Sequence, residues 1–186
     1  MERQQVIAQA TANYWREGLH ALSLNELCRR VGTSKPALYR EFGGEDGLML
    51  AALEHYRGLA VVPLLAIIAS DEPFAVVLER AVAVMTSDHG TPPGCLFTKM
   101  RLSKGRLGPQ TLGRLEGIEA ERIAAFEAWY RRALERGEAD ASVAPELAAA
   151  YLDKQFTMAL VSMALGESVE QIRAQGRLAM RALVAR

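Results

Sequence analysis

At 186 residues the chain has room for one large domain or two small ones, and half of its residues are hydrophobic, enough for a sizeable core. Lys and Arg number 22, as do Asp and Glu, so the formal net charge is zero. That argues against a protein that coats nucleic acid indiscriminately, but it leaves room for a local basic face.

Alanine, leucine, glutamate and arginine dominate, and Val, Ile and Thr never alternate over a strand's length. The expected fold is all-α, with about nine helices. The first covers roughly Arg3 to Glu17, with Val6, Ile7, Ala10 and Tyr14 inward and Gly18 closing it. The segment LSLNELCRRVGTSKPALYREF, from Leu22 to Phe42, then predicts two short helices joined by a tight turn. Ser23 followed by Glu26 has the spacing of a capping box. Leu24, Leu27, Cys28 and Val31 fall at i, i+3, i+4 and i+7, one helical stripe. Gly32 turns the chain, since it adopts positive φ at little cost. Thr33 or Ser34 caps the next helix, and Pro36 is tolerated in its first turn. Leu38 and Phe42 give that helix a buried face, leaving Ser34, Lys35, Ala37, Tyr39 and Arg40 outward.

That outward face suits DNA. Lys35 and Arg40 can neutralise phosphates, and the Tyr39 hydroxyl can donate to one. Ser34, Lys35 and Ala37 lie at the helix end that a recognition helix presents to base edges. The same pattern also occurs in ordinary helical hairpins with a solvated face. Arg29, Arg30, Lys35 and Arg40 carry the charge of this stretch, with no acid between Arg29 and Arg40.

A fourth helix is expected from Glu45, burying Leu48, Ala52, Tyr56 and Leu59, with Pro63 kinking or interrupting it. Asp71-Glu72-Pro73 marks a loop, followed by a helix from Phe74 to about Ser87. The loop HGTPPG, from His89 to Gly94, precedes a short helix from Cys95 to Ser103. After a break at Gly105 to Pro109, a long amphipathic helix runs from about Gln110 to Arg136, closed by Gly137. The last two helices are expected from Pro145 to Leu165 and from Ser168 to Val184.

The segment WREGLHALSLNELCRRVGTSKPALYREFGGEDGLMLAAL resembles the TetR family of transcriptional repressors. Trp15 and Gly18 sit where that family closes its first helix. Ser23, Val31, Gly32, Ser34, Leu38, Tyr39, Phe42 and Leu48 fall at its signature positions. The resemblance is close over about the first third of the chain and extends to the rest only as helical layout. It implies a helix-turn-helix domain over residues 1–58 and a ligand-binding and dimerisation domain over 59–186. It implies DNA contacts from Ser23, Thr33, Ser34, Lys35, Ala37, Tyr39 and Arg40. One departure stands out. The family often places a phosphate-binding lysine two or three residues after the phenylalanine, and here the segment is Gly43-Gly44-Glu45-Asp46. Glu45 suits the start of a helix but would repel DNA, which leaves a neighbour such as Arg57 or Lys35 to substitute.

No catalytic set, phosphate-cradling loop or nucleophile elbow is visible, and His20, His55 and His89 have no metal-ligand spacing. No enzyme activity, metal or cofactor is expected. Met85, Met100, Phe126, Trp129 and Met158 suit either an adaptable apolar cavity or plain core. With the polar Gln155 and with Cys95 they form the candidate effector site, for an unknown and lipophilic small molecule. Cys95 follows Pro93-Gly94 at a helix start, so it reads either as a buried small residue or as a reactive thiol. The latter gives the alternative function, a helical redox or electrophile sensor or an enzyme.

A homodimer through the last two helices is expected. Ala148, Ala149, Tyr151, Leu152, Phe156, Ala159 and Met163 form the apolar face of one, and Ile172, Ala179, Met180 and Leu183 that of the other, with Gly176 among the small residues that permit close approach. Cys28 and Cys95 make no disulfide framework. The start, MERQQVIAQA, is polar and helical, unlike a leader. The longest apolar run, Leu59 to Ala69, is too short to span a bilayer and contains Pro63. The expected location is cytoplasmic, with no membrane partner. The function expected is that of a ligand-responsive regulator, a repressor that binds a palindromic operator as a dimer and is released by its effector.

Overall fold

A computed structural model describes residues 2–87 and 90–185. His89 therefore lies outside the described residues. Among those described, the fold is all-α with nine helices. They are α1 (Arg3–Glu17), α2 (Leu24–Arg30), α3 (Lys35–Phe42), α4 (Glu45–Ile68), α5 (Phe74–Met85), α6 (Leu96–Leu102), α7 (Pro109–Glu135), α8 (Pro145–Ala164) and α9 (Val169–Met180).

Two compact units interleave along the chain. The first holds Met1–Ala60 and Cys95–Ile118, and the second Val61–Gly94 and Glu119–Arg186. Cys95–Ile118 thus packs with the N-terminal sixty residues, across the expected boundary at residue 58. In this unit Ala10, Tyr14, Leu38, Leu48, Ala52, Tyr56 and Phe97 are sealed from solvent. The Trp15 and Tyr56 rings meet edge to face, with centroids 4.7 Å apart. The Lys99 ammonium donates to the carbonyls of Trp15 at 2.6 Å and Arg16 at 3.0 Å. It thereby satisfies orphan acceptors at the negative end of α1.

In the second unit Phe74, Trp129, Tyr130, Phe126 and Phe156 form an aromatic core. Phe126 stacks on Phe156 at 5.3 Å, and Phe74 leans on Trp129 at 4.7 Å. The one fully buried ion pair among the described residues, Arg122 with Asp153, joins α7 to α8.

As expected, α4 is interrupted near Pro63: Arg57–Val61 widen into a π-turn, and α-geometry resumes over Val62–Ile68. Proline lacks the N–H for a regular bond and clashes with the preceding turn, and the wider register absorbs that defect. α9 stops at Met180 rather than near Val184. The chain beyond it turns over 181–183, after which Val184 forms an antiparallel bridge with Ala139, and Asp140 N–H donates to the Leu183 carbonyl at 3.0 Å. Finally, α4 is, by length and composition, long and apolar enough to cross a membrane. The apolar run from Leu59 gives only part of its length. Its residues Leu48, Met49, Ala52, Leu53 and Tyr56 are buried in the first unit.

Candidate DNA-binding surface

The surface is built by α2, the turn after it, and α3. The Ser23 hydroxyl accepts from Glu26 N–H at 3.2 Å, which starts α2. The reciprocal half of the capping box does not form. The Glu26 carboxylate instead accepts from Arg29 at 2.7 and 3.0 Å and from Arg30 at 2.7 Å. Two guanidinium partners outweigh one backbone N–H for an ionised acid. Those hydrogen bonds, from Arg29 and then Arg30, hold the Glu26 carboxyl down to about 2 and raise both arginines above their ordinary values. Arg30 is also tied to Glu17 and Asn13.

At the turn, Gly32 takes φ 64°, the left-handed region that disfavours side chains. Thr33 N–H then reaches back to the Cys28 carbonyl at 2.9 Å. Of the two expected caps it is Ser34 that starts α3, accepting from Ala37 N–H at 3.3 Å, with Pro36 in the first turn. Leu38 is the buried anchor of α3. Phe42, expected inward, is half-buried under the Arg3 guanidinium, 5.2 Å from the ring centroid.

This leaves a defined outward face. Ser23, Ser34, Lys35 and Arg40 are exposed, Tyr39 is 55% exposed, and Thr33 and Ala37 are half-buried. The structure brings Thr33, Ser34, Lys35, Ala37, Tyr39 and Arg40 together along the turn and α3, with Ser23 at the opposite end of α2. The Tyr39 ring lies over Gly44, where a Cβ would sit 3.4 Å from its edge. Beyond Gly44, Glu45 pairs at 3.9 Å with Arg106. Sequence reasoning missed Arg106, because it lies sixty residues along the chain in a 3₁₀ turn, Lys104–Arg106. Asp46 turns inward and accepts from Gln110 N–H at 3.0 Å and Thr111 N–H at 3.1 Å, at the start of α7.

Residues 6–52 match the family of bacterial regulatory proteins named for tetR. Over those residues the chain is similar to the TetR family's DNA-binding segment. Among TetR-type relatives, it is 30% identical over 96 residues to the HTH-type transcriptional repressor BdcR of Escherichia coli, covering 50% of this chain and 49% of BdcR. The chain thus spans about half the length of that relative. The fold is that of solved TetR regulators. Reduced NemR of E. coli superposes with a TM-score of 0.81 at 17% identity, over 98% of this chain and 97% of NemR. A cysteine mutant of the TetR family regulator CifR, complexed with 26-bp double-strand operator DNA, gives 0.79 at 26% identity, over 98% and 97%.

The expected effector residues are divided between the two units. Cys95 and Met100 are buried in the first unit, where the Cys95 sulfur accepts from the Tyr56 hydroxyl at 3.2 Å and Thr98 N–H at 3.4 Å. Phe126 and Trp129 are closed into the core of the second unit, with Met85 half-buried against it. Gln155 is half-buried, while Met158, expected to face Phe126 and Trp129, is 54% exposed. On α8 it is Phe156 that stacks on Phe126. A cleft of ≈ 390 Å³ does open between α5 and α9, lined by Leu78, Val82, Gly176, Arg177 and Met180 among others, but by none of these seven. No group of acids, histidines or cysteines among the described residues could hold a metal ion.

Proposed function

We propose that this TetR-family protein is a homodimeric, effector-released repressor that reads a palindromic operator through α3. The observation that carries the reading is the division among the cations of α2 and α3. Glu26 occupies Arg29 and Arg30, whereas Lys35 and Arg40 stand exposed beside Tyr39 on a helix fixed by its Ser34 cap. Free cations and a free hydroxyl along one helix face are what a phosphate backbone requires. The operator complex of CifR, which shares 26% identity with this chain, supports duplex DNA as the partner.

A two-fold operator calls for a two-fold protein. On the apolar face of α8 expected for dimerisation, Ala148, Ala149, Leu152 and Phe156 are buried and Tyr151, Ala159 and Met163 half-buried, while Ile172, Met180 and Leu183 are buried farther along the chain. A different stripe stays open. Leu147, Met158 and Leu165 are 64%, 54% and 74% exposed, and on α9 Leu178 is 67% exposed. Leu147, Tyr151, Lys154, Met158, Val161 and Leu165 recur every three or four residues along one face of α8, which suits helix pairing. In this reading residues 1–58 contact DNA, and residues 59–186 dimerise and take the effector. No catalytic step is involved, and the protein works in the cytoplasm. Cys95 acts as a packed residue, held by Tyr56 and Thr98.

The deciding experiment is selection of duplexes from a random library by the purified full chain. Enrichment of one palindromic sequence, bound by two protomers, is expected. Recovery of unenriched sequence would sink the reading.

A further inference from the structure

We propose that Arg106 is a DNA-backbone contact, reaching a phosphate alongside Tyr39 and at the same time neutralising Glu45. The inference rests on the reading of α3 as a DNA-binding helix, and it extends the interface to a segment distant in sequence.

The basic residues of the first unit are mostly committed. Arg29 and Arg30 are held by Glu26, Arg114 by Glu54, and Arg3 by Glu41 at 3.1 Å. Lys99 is consumed by the end of α1. Lys104 pairs with Glu116 at 3.5 Å. Arg106 differs from these. Its one ion pair among the described residues is the 3.9 Å contact with Glu45, which is longer than a hydrogen bond, and its side chain is 44% exposed. A guanidinium has five donors in a flat fork, so one edge can stay on a carboxylate while the other receives a phosphate.

The position is set by a short chain of contacts. Tyr39 lies on Gly44, Glu45 follows Gly44 directly, and Arg106 reaches Glu45. Of the two acids opening α4, Asp46 is consumed by the N-terminus of α7. Glu45 is therefore the acid left beside Tyr39. A phosphate drawn to Lys35, Tyr39 and Arg40 would meet that negative charge, were Arg106 not against it. At 3.9 Å the contact with Glu45 is beyond hydrogen-bond distance, so the guanidinium can turn toward a polyanion without breaking a hydrogen bond to that acid.

The test uses the full chain and the duplex it enriches from a random library, with affinity measured across a salt series. Arg106→Gln is expected to weaken binding severalfold and to lower the salt slope by about one unit, and Arg106→Lys to restore most of both. Lys104→Gln removes the same charge two residues away from a side chain that is already paired, and should leave the slope unchanged. In a Glu45→Gln background, Arg106→Gln should still cost a unit of slope. If that cost vanishes with Glu45 gone, Arg106 only neutralises the acid and the proposal fails. It fails equally if Arg106→Gln binds as wild type does, or if Lys104→Gln matches Arg106→Gln. Wild-type protein that enriches no duplex would overturn the operator reading itself, and this inference with it. Enrichment with an inert Arg106 would overturn the inference alone.

Discussion

Thr111 holds Asp46 through both its amide and its hydroxyl. The amide donates to the carboxylate at 3.1 Å, and the hydroxyl lies 2.6 Å from the same oxygen and 3.0 Å from the Asp46 carbonyl. Gln110 N–H supplies a further bond at 3.0 Å. Asp46 thus opens α4 and, across a gap of 65 residues in sequence, caps α7. The first turn of a helix presents unpaired N–H groups and a partial positive charge, so an ionised carboxylate fits there.

Loss of that cap should be measurable. Asp46→Ala is expected to destabilise the fold by about 1–2 kcal/mol, read by urea denaturation, and Asp46→Asn by less, since one acceptor oxygen remains. Burial opposes ionisation of Asp46, but the bonds from Thr111 and Gln110 prevail and hold its carboxyl below the usual carboxylate range. A depressed folded-state value means the stabilisation is complete above the unfolded aspartate value, near pH 3.9, and is lost as pH falls through the folded one. The acid limb of the stability curve should therefore flatten in Asp46→Asn. An unchanged limb would remove Asp46 from the account.

Gly108 should be irreplaceable for the same reason. A Cβ there would lie 2.3 Å from the Asp46 carboxyl carbon and 2.5 Å from an oxygen. The carboxylate is pinned by its bonds and has no slack to yield. Gly108→Ala is expected to cost about 1–3 kcal/mol, and the double variant with Asp46→Ala less than the sum of the two. Strict additivity would show that the two do not share a cause.

Among the cations, Lys35→Ala and Tyr39→Phe should weaken operator binding without altering thermal stability, with Lys35→Ala lowering the salt slope by about one unit. Arg29→Ala should do much less, because Glu26 holds that guanidinium. Glu26→Gln should tighten binding by releasing Arg29, while Arg30 stays tied to Glu17 and Asn13. With its carboxyl held at about 2, Glu26 cannot be neutralised by any mild acidification, so the mutation is the direct way to ask. Weaker binding by Glu26→Gln would mean that the clamp orders α2 for DNA.

The Arg122–Asp153 pair gives a stability prediction inside the second unit. Both side chains are more than nine-tenths buried. Asp153→Ala removes the carboxylate paired with the buried Arg122 guanidinium and should cost about 3–5 kcal/mol. Replacing both, Arg122→Met with Asp153→Leu, should recover most of the loss. A double variant as unstable as the single one would mean that the pair does more than satisfy itself.

The open stripe of α8 is tested by Leu165→Glu and Met158→Glu. Both positions are more than half exposed, so the protomer should melt as before while sedimentation shifts toward monomer and operator affinity falls. Dimers of undiminished stability would put the interface elsewhere.

What the sequence made legible follows from local rules. Capping serines, turn glycines and apolar spacing fixed α1, α2 and α3 almost to the residue, since those signals act within one or two turns. Partnerships between distant residues were not legible. Glu26 looked like half of a capping box because spacing does not reveal that two arginines on the next turn compete for it. Asp46 gave no sign of its role because its partners come from another helix. Ala148, Leu152 and Phe156 do form a buried apolar stripe on α8, but periodicity cannot say whether such a stripe meets its own core or a second chain. For the aromatic and methionine set the choice between cavity and core stayed open in the same way, because residue type does not distinguish a wall from a filling.

The interleaving of the first unit has a bearing on how the protein is made. Helices α1 to α3 emerge from the ribosome early, but the Lys99 ammonium that closes α1 and the Thr111 that locks Asp46 do not yet exist. At about 5–20 residues per second, translation needs on the order of 3–12 s more to deliver them. Through that interval the nascent helix-turn-helix lacks its keystones and is exposed to proteases and chaperones. A message cut short after residue 58 would leave a fragment with the DNA-reading helix but without the segment that steadies it, so premature termination is expected to yield a degraded peptide rather than an unregulated operator binder.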